Sequence, residues 1–241
     1  MTPTALLNLM EATWPPARKW LQGAVALRDG AGGGQRVSAA SVLDDFTEMD
    51  LVDAEAAMSD PLFLIQHGQG VLDSALARLG YQLHDPVVAY AADVDQLTGD
   101  LPPLTAFPHW PPLQIACSIW DEGGIGAARI KVMERVEGPK TVILARISDR
   151  PAGVAFAAVA GADAMVHALE VRPTQRRKGV GHAAMRAAAN WAASQGATRM
   201  VLVATERNTA ARALYAALGM KVVGQYHYRI RHVDVGGSHA R

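Results

Sequence analysis

The sequence predicts an α/β chain of the α+β kind, with strands and helices interspersed, on three observations. An apolar run at residues 164–171 reads as a strand, a basic turn with glycines follows, and an alanine-rich segment at residues 181–195 reads as a helix. A strand–loop–helix–glycine succession occurs once in each half. P-L-F-L-I leads to V-L-D-S-A-L-A-R-L-G-Y, and M-V-L-V-A leads to A-A-R-A-L-Y-A-A-L-G-M, pairing Leu79-Gly80 with Leu218-Gly219. Between the halves, residues 101–112 hold Pro102, Pro103, Pro108, Pro111 and Pro112, a stiff non-helical stretch.

The elements follow in order. Residues 6–12 have a short helical pattern that stops at Trp14-Pro15-Pro16. Residues 20–27 read as a strand, residues 30–34 as a glycine turn, and residues 37–42 as the returning strand of a hairpin. That glycine run lies between two strand-like segments and is not expected to open a helix. Residues 43–59 are helix-like, and Asp44, Asp45, Glu48, Asp50, Asp53 and Glu55 give them a solvated face. A strand at residues 61–66, a helix at residues 70–79 closed by Gly80, and an extended run at residues 81–90 complete the first half.

The division predicted is residues 1–105, a linker at 106–112, and a second domain at 113–241, which starts at residues 114–120. In the second domain, residues 123–126 form a loop and residues 127–137 are helix or strand. Strands at residues 141–148 and 153–160 flank an Asp149-Arg150-Pro151 turn. The alanines at 183, 184, 187, 188, 189, 192 and 193 favour a helix and let it lie close to a sheet; Gly196 ends it. A strand at residues 200–204 follows. Asn208 caps a helix at residues 209–218, Gly219 closes it, and residues 220–230 give one or two last strands. Trp14-Pro15-Pro16 echoes Trp110-Pro111-Pro112, and the two echoes differ in separation by enough residues for a strand, a turn and a helix. The halves are therefore read as diverged copies of one fold, the first lacking that element.

Composition excludes some functions. The 241 residues hold 23 Lys plus Arg and 23 Asp plus Glu, so no global basic field is available for nucleic acid. The single cysteine, Cys117, cannot form an internal disulfide, which fits a reducing cytoplasm. No basic and apolar leader is evident at the N-terminus, and no apolar run approaches the roughly 20 residues that span a bilayer. A cytoplasmic protein with no membrane or nucleic-acid partner and no metal is expected, as monomer or homodimer.

The chemistry concentrates in V-R-P-T-Q-R-R-K-G-V-G, residues 171–181. A helix start exposes backbone N–H groups and a positive dipole end, which favour an anion such as phosphate. Gly179 and Gly181 allow a diphosphate to approach the backbone, and Arg176, Arg177 and Lys178 add positive charge. No Lys-Ser/Thr pair follows, so this is not a Walker loop, and G-x-G-x-x-G is absent.

The R-x-x-G-x-G pattern from Arg176 to Gly181 resembles the pyrophosphate motif of the GNAT superfamily of acetyl-CoA-dependent N-acetyltransferases. Residues 113–230 resemble a GNAT domain throughout, on four landmarks in order: Leu169-Glu170-Val171, the turn, the strand at residues 200–204, and N-T-A-A-R-A-L-Y-A-A-L-G-M. The resemblance implies a mixed, mostly antiparallel sheet flanked by helices, and leaves the first half as a degenerate copy in a tandem arrangement or an accessory domain. It implies acetyl-CoA as cosubstrate and a small-molecule or peptide amine as acceptor, attacking the thioester directly.

Carried onto this sequence, the resemblance places backbone groups of Leu169 and Val171 on pantetheine. It places the amides of Arg177, Lys178, Gly179, Val180 and Gly181 on the diphosphate. Tyr215 takes the position that protonates the departing thiolate, and Asn208, two helical turns away on the same face, that of a contact to the pantetheine arm. His167 or Glu170 is the base. His167 shares side-chain parity with Leu169 and Val171 if no bulge intervenes, and Glu170 has the opposite parity. His227 and Tyr228 are candidates for the acceptor pocket. The alternative is a non-catalytic acyl-CoA-binding or regulatory module. A nucleotide-phosphate binder ranks last.

Overall fold

A computed structural model describes residues 1–231 except Asp44. The final residues of the second predicted domain, 232–241, and Asp44 of the predicted acidic helix lie outside the described residues. In the first half, helix α1 (Pro3–Thr13) precedes a hairpin of β1 (Arg18–Gln22) and β2 (Val25–Asp29). Then come α2 (Gln35–Ser38), β3 (Ser41–Val42), α3 (Glu48–Ala56), β4 (Leu62–Gln66), α4 (Gly70–Arg78), β5 (Gln82–Asp93) and α5 (Val94–Leu97). The second half runs β6 (Ala106–His109), α6 (Gln114–Glu122), α7 (Ala127–Arg135), β7 (Lys140–Ile147), β8 (Arg150–Ala160), β9 (Asp163–Val171), α8 (Val180–Ser194), β10 (Arg199–Thr205), α9 (Thr209–Ala217) and β11 (Lys221–Ile230).

The expected mixed, mostly antiparallel sheet is present. Its eight strands take the order β4-β11-β5-β10-β9-β8-β7-β6, and every neighbouring pair is antiparallel except β9 with β10. A three-stranded sheet, β1-β2-β3, continues it through one parallel bridge, Ala40 to Phe63. Helices cover both faces. Ala184, Ala187, Ala188, Ala189 and Ala192 of α8 are buried against β-strand residues such as Ile143, Ala155 and Met200. The other face is covered in part by α6 and α7, through Ile119, Trp120, Val132 and Met133, and in part by α1 through Leu6, Leu9 and Met10.

The strand order reveals an exchange between the halves. Each half contributes a strand–helix–strand unit, β4-α4-β5 and β10-α9-β11. Strand β5 pairs with β10, while β11 lies between β5 and β4. The last strand of each half thus lies against the other half's unit. A side-chain clasp reinforces this: Asp73 of α4 accepts from Arg229 Nε at 2.7 Å and lies 2.7 Å from His227 Nε2. Arg229 foremost, with His227, pulls the Asp73 carboxyl down to about 2 against the opposing effect of burial.

The sequence expectations need four corrections. The tight hairpin lies at β1–β2, with Gly23 at φ 55 in its turn, and the expected antiparallel pairing across the glycine run is confined to Val25 with Val42 and Ala26 with Ser41. That run instead opens a one-turn helix, α2, because Gly34 at φ 97 redirects the chain. Residues 106–109 of the proline-rich stretch form an edge strand, whose Pro108 is tolerated there. The first half does not lack the strand–turn–helix element. Strand β3 is antiparallel to β2 and bridges β4 in parallel, as β9 is antiparallel to β8 and parallel to β10, and α3 follows β3 as α8 follows β9. The element is shortened, and its helix mouth is closed by its own capping box: Asp50 N–H donates to Thr47 Oγ1 and Thr47 N–H to Asp50 Oδ2. Asp45 in the preceding turn adds a charge of the wrong sign for phosphate. Residues 220–230 form a single bulged strand, β11.

Because β5 fills the place beside β10, unfolding of the full chain is expected to be one cooperative transition, with tryptophan fluorescence and far-ultraviolet circular dichroism coinciding. Residues 107–241 expressed alone leave the edge of β10 bare, and self-association on size-exclusion chromatography is the expected outcome. A monomeric fragment would contradict the exchange.

Candidate active site

Strands β9 and β10 start as neighbours and then part. Their parallel pairing covers Asp163 with Arg199, Ala164 with Met200 and Met165 with Val201, and no pair follows. Beyond Met165, β9 continues to Val171 alongside β8 only. Arg172 N–H donates to Ala152 C=O at 3.0 Å, so strand alternation turns the polar groups of Val171 and Leu169 toward the gap. The gap is a V lined on one arm by unpaired main chain.

A bulge shapes this arm. The β8–β9 register slips by one residue between the Val154–Glu170 pair and the Phe156–His167 pair, and Ala168 adopts φ 50. Trp120 of α6 fixes the bulge by donating from Nε1 to Ala168 C=O at 2.8 Å. The bulge corrects the expected parity. Leu169 and Val171 pack on the α8 face with Val166, whereas His167 faces Trp14 on the opposite side.

At the end of β9, residues Pro173–Gln175 form a 3-10 turn, Arg177 takes φ 63, and Gly179 takes φ 82 as the residue before α8. The first backbone bond of α8 joins Ala183 N–H to Gly179 C=O, so the amides of Val180, Gly181 and His182 point out of the helix mouth. A Cβ on Gly179 would meet nothing within 4 Å; its need is for the left-handed φ. Gly181 is different, since a Cβ there would lie 3.0 Å from Leu214 of α9. The basic residues are distributed unevenly. Arg176 turns back, donating to Val171 C=O at 3.0 Å and to Glu170 Oε1 at 3.1 Å, while Lys178 donates to Gln175. Val180 is buried under Gly153, so only its backbone is presented.

The nominated catalytic residues do not converge. Tyr215 is buried beside Tyr90, ring centroids 5.6 Å apart, in the cluster that includes Val180, Leu202 and Ala204. Burial, then the neighbouring Tyr90, pushes its phenol up to about 12, so it holds its proton at neutral pH. Asn208 caps α9 through Ala211 N–H at 3.1 Å. Glu170 is paired with Arg176 and packs over Gly123.

His167 is enclosed. Arg36 of α2 donates from Nη1 to its Nδ1 at 2.9 Å; arginine has no acceptor, so the proton lies on Nε2. Nε2 then donates to Thr13 Oγ1 at 2.9 Å, which donates to Leu9 C=O at 2.7 Å. The ring stacks on Trp14 at 4.9 Å. Burial, and then the Arg36 charge, hold its pKa well below 6.5. The expectation of His167 as base is therefore corrected: both nitrogens are committed, and protonating Nδ1 would break the Arg36 bond.

Beside His167 lies a cleft of about 280 Å³, lined by both strands of the V and by the first half. Sequence reasoning missed its Arg36, Arg129 and Asp85. Asp85 is turned inward by a second bulge, where β5 slips against β11 and the residue takes φ 40. Asp85 pairs with Arg207 at 3.1 Å. Tyr228 lines this cleft, whereas His227 lines a second one of about 270 Å³ beside Asp73. Glycines between strand-like runs were the available signal for Arg36. Arg129 and Asp85 carried none.

A parallel strand pair that parts around a bulge, followed by a glycine turn opening a helix, defines a class of proteins, the GNAT fold. Residues 107–220 match the acetyltransferase (GNAT) family model, and this part of the chain is a GNAT domain. The uncharacterized N-acetyltransferase YobR of Bacillus subtilis is 38% identical over 61 residues, a quarter of this chain and a quarter of the relative's length. A GCN5-related N-acetyltransferase from Kribbella flavida superposes with a TM-score of 0.72 at 15% identity, covering 96% of each chain. A tandem GNAT protein from the clavulanic acid biosynthesis pathway gives 0.59 at 16% identity, over 86% of this chain and 77% of that one. The fold therefore extends to the first half. Among the described residues no helix is long and apolar enough to cross a membrane, and no cluster of side chains could hold a metal ion.

The buried neutral His167 predicts an acid sensitivity. Its folded pKa lies below the unfolded value near 6.5, so only the unfolded chain gains a proton as pH falls through 6.5, and stability drops from there toward the folded pKa. Urea unfolding against pH should show this slope, and His167→Gln should flatten it.

Proposed function

We propose that this protein is an N-acyltransferase that moves an acetyl group from acetyl-CoA to a primary amine while both are bound. The observation that carries the reading is the V between β9 and β10, with unpaired main chain on one arm and the free amides of α8 at its end. These features fit coenzyme A. The main-chain groups that Leu169 and Val171 turn toward the gap suit the pantetheine amides, which dock as a strand would, once Arg176 releases the Val171 carbonyl. The amides at residues 177–181 suit the diphosphate, with Arg177 and Lys178 at its flank. Arg176 is spent on Glu170 and Val171 C=O, so it orders the turn and would reach phosphate only by leaving them. The thioester supplies an activated acyl carbonyl.

The chain's own residues divide the remaining work. Tyr215 keeps its proton until the thiolate departs and then donates it. Asn208 fixes the start of α9 and thereby the placement of Tyr215. His167 orients Arg36 rather than taking a proton. Glu170 holds the turn through Arg176. Asp85 is the one carboxylate lining the cleft, and it draws the ammonium form of the acceptor and passes its proton to solvent. Residues 1–105 form a degenerate copy that walls the cleft, and residues 113–241 form the acyl-CoA-binding domain.

Tyr215→Phe is expected to lower turnover by roughly 100-fold, in the range of lost general-acid catalysis, with coenzyme A affinity unchanged by calorimetry. Unchanged turnover would remove Tyr215 from the mechanism. Gly179→Val forces a β-branched residue into φ 82 and should weaken coenzyme A binding by about 10-fold or more. Thiol release over an amine panel separates the enzyme from a non-catalytic acyl-CoA-binding module, which would bind and release nothing.

A further inference from the structure

We infer that the acceptor amine carries an anionic group, a carboxylate, and that Arg36 and Arg129 receive it in the cleft beside His167. The inference rests on the acyl-transfer reading and names its substrate class. The cleft is lined by Arg36, Arg129 and Arg207 against a single carboxylate, Asp85. Arg207 and Asp85 neutralise one another at 3.1 Å. Neither Arg36 nor Arg129 has an ion-pair partner among the described residues. Among the described residues the cleft therefore carries two uncompensated cations.

The two arginines are brought together by the glycine run. Gly33 packs where a Cβ would lie 2.5 Å from Val132 of α7, so the loop can touch that helix only without a side chain. Gly34, at φ 97, lies directly under Arg129, whose Nε and Nη2 are 3.4 Å from the place a Cβ would take. Arg36 follows two residues on. Its Nη1 is anchored on His167 Nδ1, and its Nε is buried with no hydrogen-bond partner. The anchored guanidinium and the neighbouring Arg129 suit a carboxylate, whose two oxygens match paired guanidinium N–H groups. Burial against Trp14 and the arginine's own charge keep the anchoring histidine neutral, so it adds no second cation beside Arg36. An ammonium can exchange with Arg207 at Asp85, while Arg36 and Arg129 leave a basic side for an anion. A polyamine would place its second cation against Arg36 and Arg129.

The test compares thiol release from acetyl-CoA by the full-length protein over matched amines: β-alanine and glutamate, their amides, O-phosphoethanolamine and spermidine. The carboxylates should exceed their amides in kcat/KM by about 10- to 100-fold, as expected for a charged hydrogen-bonded contact. Arg129→Gln should lower kcat/KM by a similar factor for the carboxylates through KM, leaving the amides and the KM for acetyl-CoA unchanged. Equal use of amides or spermidine, or indifference to Arg129→Gln, overturns the inference and leaves acyl transfer intact. A preference for O-phosphoethanolamine overturns the carboxylate assignment. Should coenzyme A bind without thiol release on any amine, calorimetry of N-acetyl-β-alanine against its amide on the coenzyme-A-loaded protein decides. Uptake that needs both the carboxylate and Arg129 supports the inference, and no difference sinks it. Failure to bind coenzyme A at all would instead sink the acyl-transfer reading.

Discussion

The structure depends on one local departure from regularity, the extra residue at Ala168. A parallel pair of strands would ordinarily stay zipped, and here pairing stops after three registered positions. The bulge increases twist, re-aims the side chains beyond it and leaves main-chain polar groups without a strand partner. Such groups are costly when buried, about 1–3 kcal/mol each. Trp120 offsets part of that by capping the bulged carbonyl. The rest is left for a ligand that can present amides of its own. The unzipped backbone of β9 thus faces the gap beside β10.

The same bulge separates two functions along one strand. Residues on the α8 side of β9 serve packing and the proposed cofactor arm, while His167 on the other side holds Arg36 at the wall of the cleft. The histidine is an anchor because of its neighbours. Arg36 supplies only donors, and Thr13 must donate onward to Leu9. That chain of hydrogen bonds has one consistent direction, and it leaves the imidazole neutral. It also ties α1 and α2 of the first half to the site strand of the second.

That tie makes the first half part of the same site. Its helix α3 starts at an acidic, self-capped turn, and its strand β5 pairs with β10. In return, β11 pairs with β4. Each half completes the other's sheet. The first half then supplies what the second lacks: a glycine loop bearing Arg36, and the bulged Asp85 of β5.

Much of this was legible in the sequence. Apolar periodicity, alanine content and glycine punctuation located α4, α8, α9 and most strands, because those signals are local and follow from backbone sterics and helix propensity. The glycine turn that opens α8 was legible for the same reason: Gly179 and Gly181 flank a helix start, where a missing side chain leaves the amides open. The glycines at 30–34 misled, since a glycine's φ depends on what packs above it, here Val132 and Arg129 from a distant helix. Whether Ala168 bulges, which strand lies beside β10, and which charges face Arg36 were decided only by tertiary structure. Each of these depends on contacts between residues far apart in the chain, and a pattern that repeats every two or every four residues carries no record of them.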